Sequence, residues 1–133
     1  MALDIVLTKY GVPPVYNQET SIRFDDEGDY LFLEPFFKKL KKSTSEIIDL
    51  YDDCAFEGED LVYLKKELEE EIIRLSLISE EKWTVYKGMQ TFPVKKEIYM
   101  AVIKKDVISK LKKWLAITDM AINESERLIG IGD

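Results

Sequence analysis

The chain has 133 residues, of which 46% are hydrophobic and 34% are charged, and its formal net charge is −7. A chain of this length can bury a core without a metal or a disulfide, so a single globular domain covering residues 1–133 is expected. Because histidine is absent, Ser-His-Asp and Cys-His catalysis and the usual histidine-bearing zinc sites are excluded.

The first part of the chain predicts two short strands. Residues 2–8 are mostly apolar, which is typical of a buried strand. Glycine and proline then interrupt regular structure, and a brief second strand is expected at residues 21–24 within a loop.

A helix is predicted from about residue 30 to residue 42. Its apolar residues follow the i, i+3, i+4, i+7 spacing of one helix face, at Leu33, Phe36, Phe37 and Leu40. Pro35 fits the first turn of such a helix, where its missing N–H has no partner. If the helix instead begins at Asp29, Pro35 would kink it.

The next segment predicts a strand followed by a long helix. The apolar residues between 47 and 51 indicate a strand that ends at Asp52 and Asp53. Asp60 is the expected N-cap of a helix from about residue 61 to residue 77. The buried stripe of that helix is predicted at Leu61, Leu64, Leu68, Ile72 and Leu75.

The remaining sequence predicts a hairpin, a second long helix and a final strand. Alternation at residues 83–87, a turn at 88–93 and an apolar run at 98–103 indicate the hairpin. Asp106 is the expected cap of a helix that ends near Asn123, with Trp114 at the edge of its core face. That core face is predicted at Ile108, Leu111, Leu115 and Ile122.

Residues 128–131 complete the predicted elements with a last strand. The order β-α-β-α-β-β-α-β predicts an α+β (mixed α/β) domain. We expect one mixed sheet of about four to five strands with about three helices on one or both of its faces.

Residues 25–60 account for the whole net negative charge, because twelve acids face four lysines there. A field concentrated in this way repels phosphate and attracts a basic partner. Three aromatic residues alternate with the acids between residues 49 and 60 or follow them directly: Tyr51, Phe56 and Tyr63. Aromatic side chains beside carboxylates form a surface that binds Lys and Arg well. These rings could instead pack under the loop. The predicted partner contacts are Asp49, Tyr51, Asp52, Asp53, Phe56, Glu57, Glu59 and Asp60, with a second group of Asp25, Asp26, Glu27 and Asp29.

Clustered carboxylates can also bind magnesium or calcium. Residues 53–64 place Gly58 at the sixth position of a calcium loop, but Ala55 and Leu64 fall at positions that require oxygen ligands. The sequence therefore predicts no metal site and no cofactor.

A basic segment between Lys95 and Lys113 contains seven lysines and two acids, with Tyr99 and Trp114 nearby. This pattern raises the question of nucleic-acid binding. The segment has no arginine and the chain as a whole is acidic, so no nucleic-acid partner is expected. The segment could instead pair with the acidic region of a second copy.

Cys54 is the only cysteine, which excludes an intrachain disulfide and is typical of a reducing compartment. Its acidic neighbours disfavour a thiolate, so a small buried hydrophobe is expected rather than a nucleophile. The chain shows no signal-peptide pattern at its start and no apolar stretch near the roughly 20 residues that span a bilayer. A cytoplasmic protein without a membrane partner is therefore predicted.

Three motifs resemble a family of small, uncharacterised bacterial proteins: RFDDEGDY at 23–30, IDLY at 48–51 and FEGEDL at 56–61. Trp83 and the pair Gly132-Asp133 extend the likeness over most of the chain. The size, the acidity and the lack of catalytic residues are also similar to those of immunity proteins of bacterial toxin systems, including contact-dependent growth inhibition.

This resemblance implies a protein that is not an enzyme and that neutralises a basic toxin domain. A nuclease is the expected toxin class, because nuclease clefts are basic and an acidic inhibitor can occupy them. Two alternatives remain open: a small metal-dependent enzyme that uses the clustered carboxylates, and a self-associating structural domain.

Overall fold

A computed structural model describes residues 1–133 and contains six strands and four helices. In chain order these are β1 (Ala2–Thr8), β2 (Ser21–Asp25), α1 (Gly28–Phe32), α2 (Glu34–Thr44), β3 (Cys54–Phe56), α3 (Glu59–Ser76), β4 (Lys82–Gln90), β5 (Lys96–Ile103), α4 (Lys104–Asn123) and β6 (Arg127–Gly132). The predicted α+β class is confirmed, and one cluster of 23 buried residues forms the core.

The sheets differ from the single mixed sheet that we predicted. Four strands form an antiparallel sheet in the order β2-β1-β6-β3, and β4 pairs only with β5 in a separate antiparallel ribbon. Strand β1 is central, since Ile5 is opposite Ile22 of β2 on one side and Gly130 of β6 on the other. Periodicity along a strand locates the strand but does not name its neighbours, which explains the difference.

The strand predicted at residues 47–51 is wrong, because this segment is an irregular loop and β3 begins only at Cys54. Ile48 and Leu50 are buried in the loop, so core packing accounts for the apolar pattern that suggested a strand. The backbone N–H of Tyr51 donates to Oδ1 of Asp49 at 2.9 Å. This local side-chain turn competes with the pairing that a strand would need.

The helix predicted at residues 30–42 is divided into α1 and α2 at Leu33. Pro35 lies in the first turn of α2, as expected, while Asp29 lies in the first turn of the preceding short helix. Gly28 lets α1 approach β5, since a Cβ atom at this position would clash with the side chain of Val102 and the carbonyl oxygen of Ala101.

The two long helices start slightly earlier than predicted. Asp60 and Asp106 lie inside the first turns of α3 and α4 rather than at the N-caps, which are Gly58 and Ile103. Negative charge in a first turn still interacts favourably with the helix dipole. The predicted stripe of α3 is buried except at Ile72, which is half-buried.

Trp114 lies at the centre of the core and not at the edge of the α4 core face. It is 0% exposed, and its ring makes edge-to-face contacts with Phe24, Phe36 and Phe56 at centroid distances of 5.6, 6.1 and 6.3 Å. Of the four core positions predicted for this helix, only Leu111 is fully buried. The buried face is turned so that its residues are Val107, Leu111, Trp114, Ile117, Thr118 and Ala121.

Gly132, at the end of β6, is required by a close backbone contact. A Cβ atom at this position would overlap the backbone N, C and O atoms of Asp52. We therefore expect Gly132→Ala to lower the free energy of unfolding by about 1–3 kcal/mol, the range typical of overpacking, as measured by urea denaturation.

Gly88→Ala is the matched control for this substitution, because no atom lies within 4 Å of a Cβ atom built at Gly88. Both substitutions have a similar effect on the unfolded chain. Equal denaturation midpoints for the two variants would show that the contact at Gly132 is not tight.

Candidate protein-binding site

The antiparallel strand order brings acids from distant segments to one end of the four-stranded sheet. The C-terminal ends of β2 and β6 lie beside the N-terminal ends of β1 and β3. We call this region the acidic end and define it by Asp25, Asp26, Asp49, Asp52, Asp53 and Asp133. With strands about 4.8 Å apart, the acidic end is about 14 Å wide across the four strands.

Backbone hydrogen bonds hold the acidic end in place. The N–H of Asp133 donates to the carbonyl oxygen of Leu50 at 2.9 Å, and Oδ2 of Asp133 accepts from the N–H of Ala2 at 3.1 Å. Oδ1 of Asp53 accepts from the N–H of Gly132 at 2.9 Å. The loop before β3 is thereby fixed to the ends of β1 and β6.

Most of the negative charge at the acidic end has no cationic partner. One salt bridge reaches the six acids, between Nζ of Lys87 and Oδ2 of Asp26 at 3.6 Å, and Asp26 remains 60% exposed. Asp52 and Asp53 are also exposed. A group of carboxylates left uncompensated in this way produces a strong negative field at the surface.

An apolar cleft of about 270 Å³ opens beside the acidic end. Its apolar lining is Tyr30, Leu31, Phe37, Ile47 and Ile48, and Glu34, Lys38 and Lys41 complete it. Burial raises the pKa of the Tyr30 phenol, and the nearby carboxylates of Asp49, Glu34 and Asp26 raise it further. The cleft is thus apolar, with one acid and two lysines in its lining, and the carboxylates of Asp49 and Asp26 lie near its Tyr30 side. Tyr51, which is 61% exposed, is a further apolar group in the loop that carries the acids.

The prediction that Phe56 contacts a partner is wrong. Strand β3 alternates, so Cys54 and Phe56 both point into the core and Phe56 is 0% exposed. Its ring packs against Trp114 and is not available to a partner.

Asp29 has a structural role that differs from the role predicted for it. Its Oδ2 accepts a hydrogen bond from Nζ of Lys110, and its Oδ1 accepts from the N–H of Tyr30 at 2.9 Å. The ion pair joins α1 to α4 and leaves Asp29 only 18% exposed. The exposed carboxylate of Glu27, one residue before α1, remains beside the acidic end.

The predicted surface between residues 49 and 60 is divided in two. Glu57, Glu59 and Asp60 follow β3, so they lie roughly 13 Å from Asp53 at the opposite end of that strand. The Tyr10 phenol lies near Glu57 there, and burial followed by the charge of Glu57 raises the pKa of that phenol. These three acids do not join the acidic end.

The basic segment is partly used within the fold. Nζ of Lys104 donates to the carbonyl oxygen of Ile78 at 2.7 Å, and Nζ of Lys113 donates to that of Gln18 at 2.6 Å. Together with Lys110, three of the seven lysines bind acceptors in the same chain. The pattern that suggested a nucleic-acid surface or pairing with a second copy thus has a local explanation for these residues.

The metal-dependent alternative is not supported by a ligand cluster. No group of three or more Cys, Asp or Glu side chains is arranged to hold a metal ion. None of the four helices combines the length and the apolar character needed to cross a bilayer.

Asp133 and the apolar cleft were not predicted from the sequence. In the sequence, Gly132-Asp133 is only part of a resemblance, and a hydrogen bond between residues 2 and 133 has no local signal. No protein-family model, curated protein or solved structure matches the chain. The resemblance to a bacterial family and to immunity proteins therefore stays a prediction.

We expect Phe56→Ala to lower the free energy of unfolding by about 3–5 kcal/mol, because it leaves a cavity beneath Trp114. Tyr51→Ala, at an exposed position, should change it by less than about 0.5 kcal/mol. Urea denaturation of the two variants measures the difference, and similar losses in both would contradict the division between core and surface.

The Cys54 thiol should be unreactive in the folded protein. Burial raises its pKa to about 12, and the carboxylates of Glu46, Asp53 and Asp52 add to the effect. At about pH 8 the thiolate fraction is then roughly a thousandfold smaller than for an ordinary thiol, so iodoacetamide should modify the native chain very slowly. Mass spectrometry of native and urea-unfolded samples measures this, and equal rates would contradict the buried position.

Proposed function

We propose that the chain is a cytoplasmic immunity protein that binds and neutralises a cationic bacterial toxin domain through the acidic end. The observation that carries the proposal is that six carboxylates lie at one end of the sheet and that only one of them, Asp26, forms a salt bridge. A field of this kind accelerates the association of a basic partner and favours it over acidic ones.

A nuclease is the toxin class that best matches this surface. The substrate cleft of a nuclease must carry positive charge, because phosphate contacts dominate nucleic-acid affinity. Carboxylates held on the end of a rigid sheet can replace phosphates in such a cleft. Stoichiometric binding would then block the substrate without any chemistry by the inhibitor.

The apolar groups beside the acidic end would add affinity that charge alone does not supply. Ile47 and Tyr51 are 53% and 61% exposed, and the cleft of about 270 Å³ lies beside them. Interfaces usually gain most of their binding energy from a few such anchors surrounded by polar residues. An apolar side chain of the toxin could enter the cleft, while a neighbouring lysine or arginine lies outside it near Asp49, away from the Lys38 and Lys41 that line the cleft.

The proposal predicts that Asp26→Lys combined with Asp52→Lys abolishes neutralisation. Both residues are exposed, so the fold should be retained while toxin affinity falls roughly a hundredfold. The measurement is a low-salt pull-down from host cells with tagged protein, followed by co-expression of the recovered basic domain with each variant to score growth.

The matched control is Glu57→Lys combined with Glu59→Lys, which changes the net charge by the same amount at the opposite end of β3. This variant should bind and protect like the unsubstituted chain. Full protection by the Asp26/Asp52 variant would overturn the assignment of the acidic end, and loss of protection only in the control would move the contact to the other end of the sheet.

A further inference from the structure

The β4–β5 ribbon contacts the rest of the fold from its base as far as the salt bridge of Lys87 with Asp26, and its far end does not. The Trp83 ring stacks on that of Phe32 with centroids 4.5 Å apart, and Val102 is buried. Every residue from position 91 to 97 is exposed. We call residues 88–96 the ribbon tip.

The ribbon tip is unusually apolar for an exposed segment. Phe92 is 84% exposed, more than any other large hydrophobic residue of the chain, while Val94 is 67% and Met89 44% exposed. No helix or strand packs over these side chains. Exposed apolar patches of this kind mark sites of contact with another protein or with a membrane.

The charge around the tip is opposite in sign to that of the chain. Residues 87–97 contain three lysines, Lys87, Lys95 and Lys96, and one acid, Glu97, which lies opposite Met89, although the chain carries −7 overall. Lys87 contacts Asp26, whereas Lys95 and Lys96 make no salt bridge. The tip therefore combines two exposed apolar side chains, Phe92 and Val94, with two adjacent lysines, Lys95 and Lys96.

We propose that the ribbon tip binds the surface of anionic lipid membranes, independently of the function assigned to the acidic end. Phe92 and Val94 enter the boundary between headgroups and acyl chains, and Lys95 and Lys96 contact the phosphates. Each lysine near an anionic surface adds to the attraction, and apolar side chains that enter the boundary add buried area. Surface binding requires no membrane-spanning helix, so it departs from the expectation of no membrane partner without conflicting with the helices described above.

The acidic end does not cancel this attraction, because the tip extends away from it. The position nearest to the acids is Lys87, and a strand advances about 3.3 Å per residue. Strand β4 continues for three residues beyond Lys87, to Gln90, so the turn lies roughly 10 Å from Lys87, which exceeds one Debye length at physiological ionic strength. At that distance the repulsion between the acids and an anionic surface is largely screened.

Vesicle co-sedimentation tests the proposal. We expect the protein to bind vesicles of phosphatidylcholine and phosphatidylglycerol, mixed at roughly 2:1, about tenfold better than phosphatidylcholine alone, with a loss at high salt. Phe92→Asp combined with Val94→Asp should remove the binding. The matched control is Val12→Asp combined with Val15→Asp, which adds the same charge at positions 48% and 72% exposed in a different loop, and it should bind as before.

A second pair of variants tests the contribution of Lys95 and Lys96. Lys95→Gln combined with Lys96→Gln should weaken binding to the anionic vesicles, whereas Lys38→Gln combined with Lys39→Gln in α2 removes equal charge elsewhere and should not. Absence of binding by the unsubstituted protein would overturn the proposal. Full binding by the Phe92/Val94 variant would also overturn it. A third contrary result would be that the unsubstituted protein binds no vesicles but forms a dimer in light scattering, and that the Phe92/Val94 variant does not form this dimer.

The test is separate from that of the proposed function. The Asp26/Asp52 lysine variant should lose toxin binding but keep vesicle binding, and the Phe92/Val94 variant should show the reverse. Loss of vesicle binding in the first variant would overturn the independence of the two surfaces.

Discussion

The packing of Trp114 is the interaction on which the rest of the structure depends. Its ring contacts Phe24 of β2, Phe36 of α2 and Phe56 of β3, and so joins α4 to elements from the first half of the chain. Strands β2 and β3 form the two edges of the four-stranded sheet. Because one side chain holds both edges against the same helix, the segments that follow β2 and precede β3 have fixed positions.

Those two segments carry four of the six acids of the acidic end, and Asp25 and Asp133 lie at the ends of β2 and β6 beside them. This arrangement explains how a small domain can concentrate negative charge. Carboxylates that repel one another weaken the folded state, so the core must support this surface in addition to the hydrogen bonds that Asp53 and Asp133 make there. Close backbone approach supplies part of that support, since glycine at position 132 admits the loop at Asp52. A local arrangement that costs stability is expected at a functional site.

The acidic end and the ribbon tip are two separate surfaces of opposite sign, and one salt bridge, between Lys87 and Asp26, joins the ribbon to the acidic end. One is held at the end of a packed sheet, and the other extends from a ribbon that is anchored at its base. Their separation allows each to contact a different kind of partner. If both proposals hold, the protein would present its acidic end to the cytoplasm while the tip holds it at a membrane.

The sequence by itself determined the α+β class, the positions of five of the six strands and both long helices. It also determined the burial of Cys54 and the concentration of acids. These features could be predicted because periodicity and composition are local properties of the chain. Only the tertiary structure decided that residues 47–51 form a loop, that Phe56 is core and that Asp29 pairs with Lys110. It also separated Glu57 from the acidic end and added Asp133 to it. These outcomes depend on strand order and on contacts between residues far apart in the chain, which no local pattern encodes.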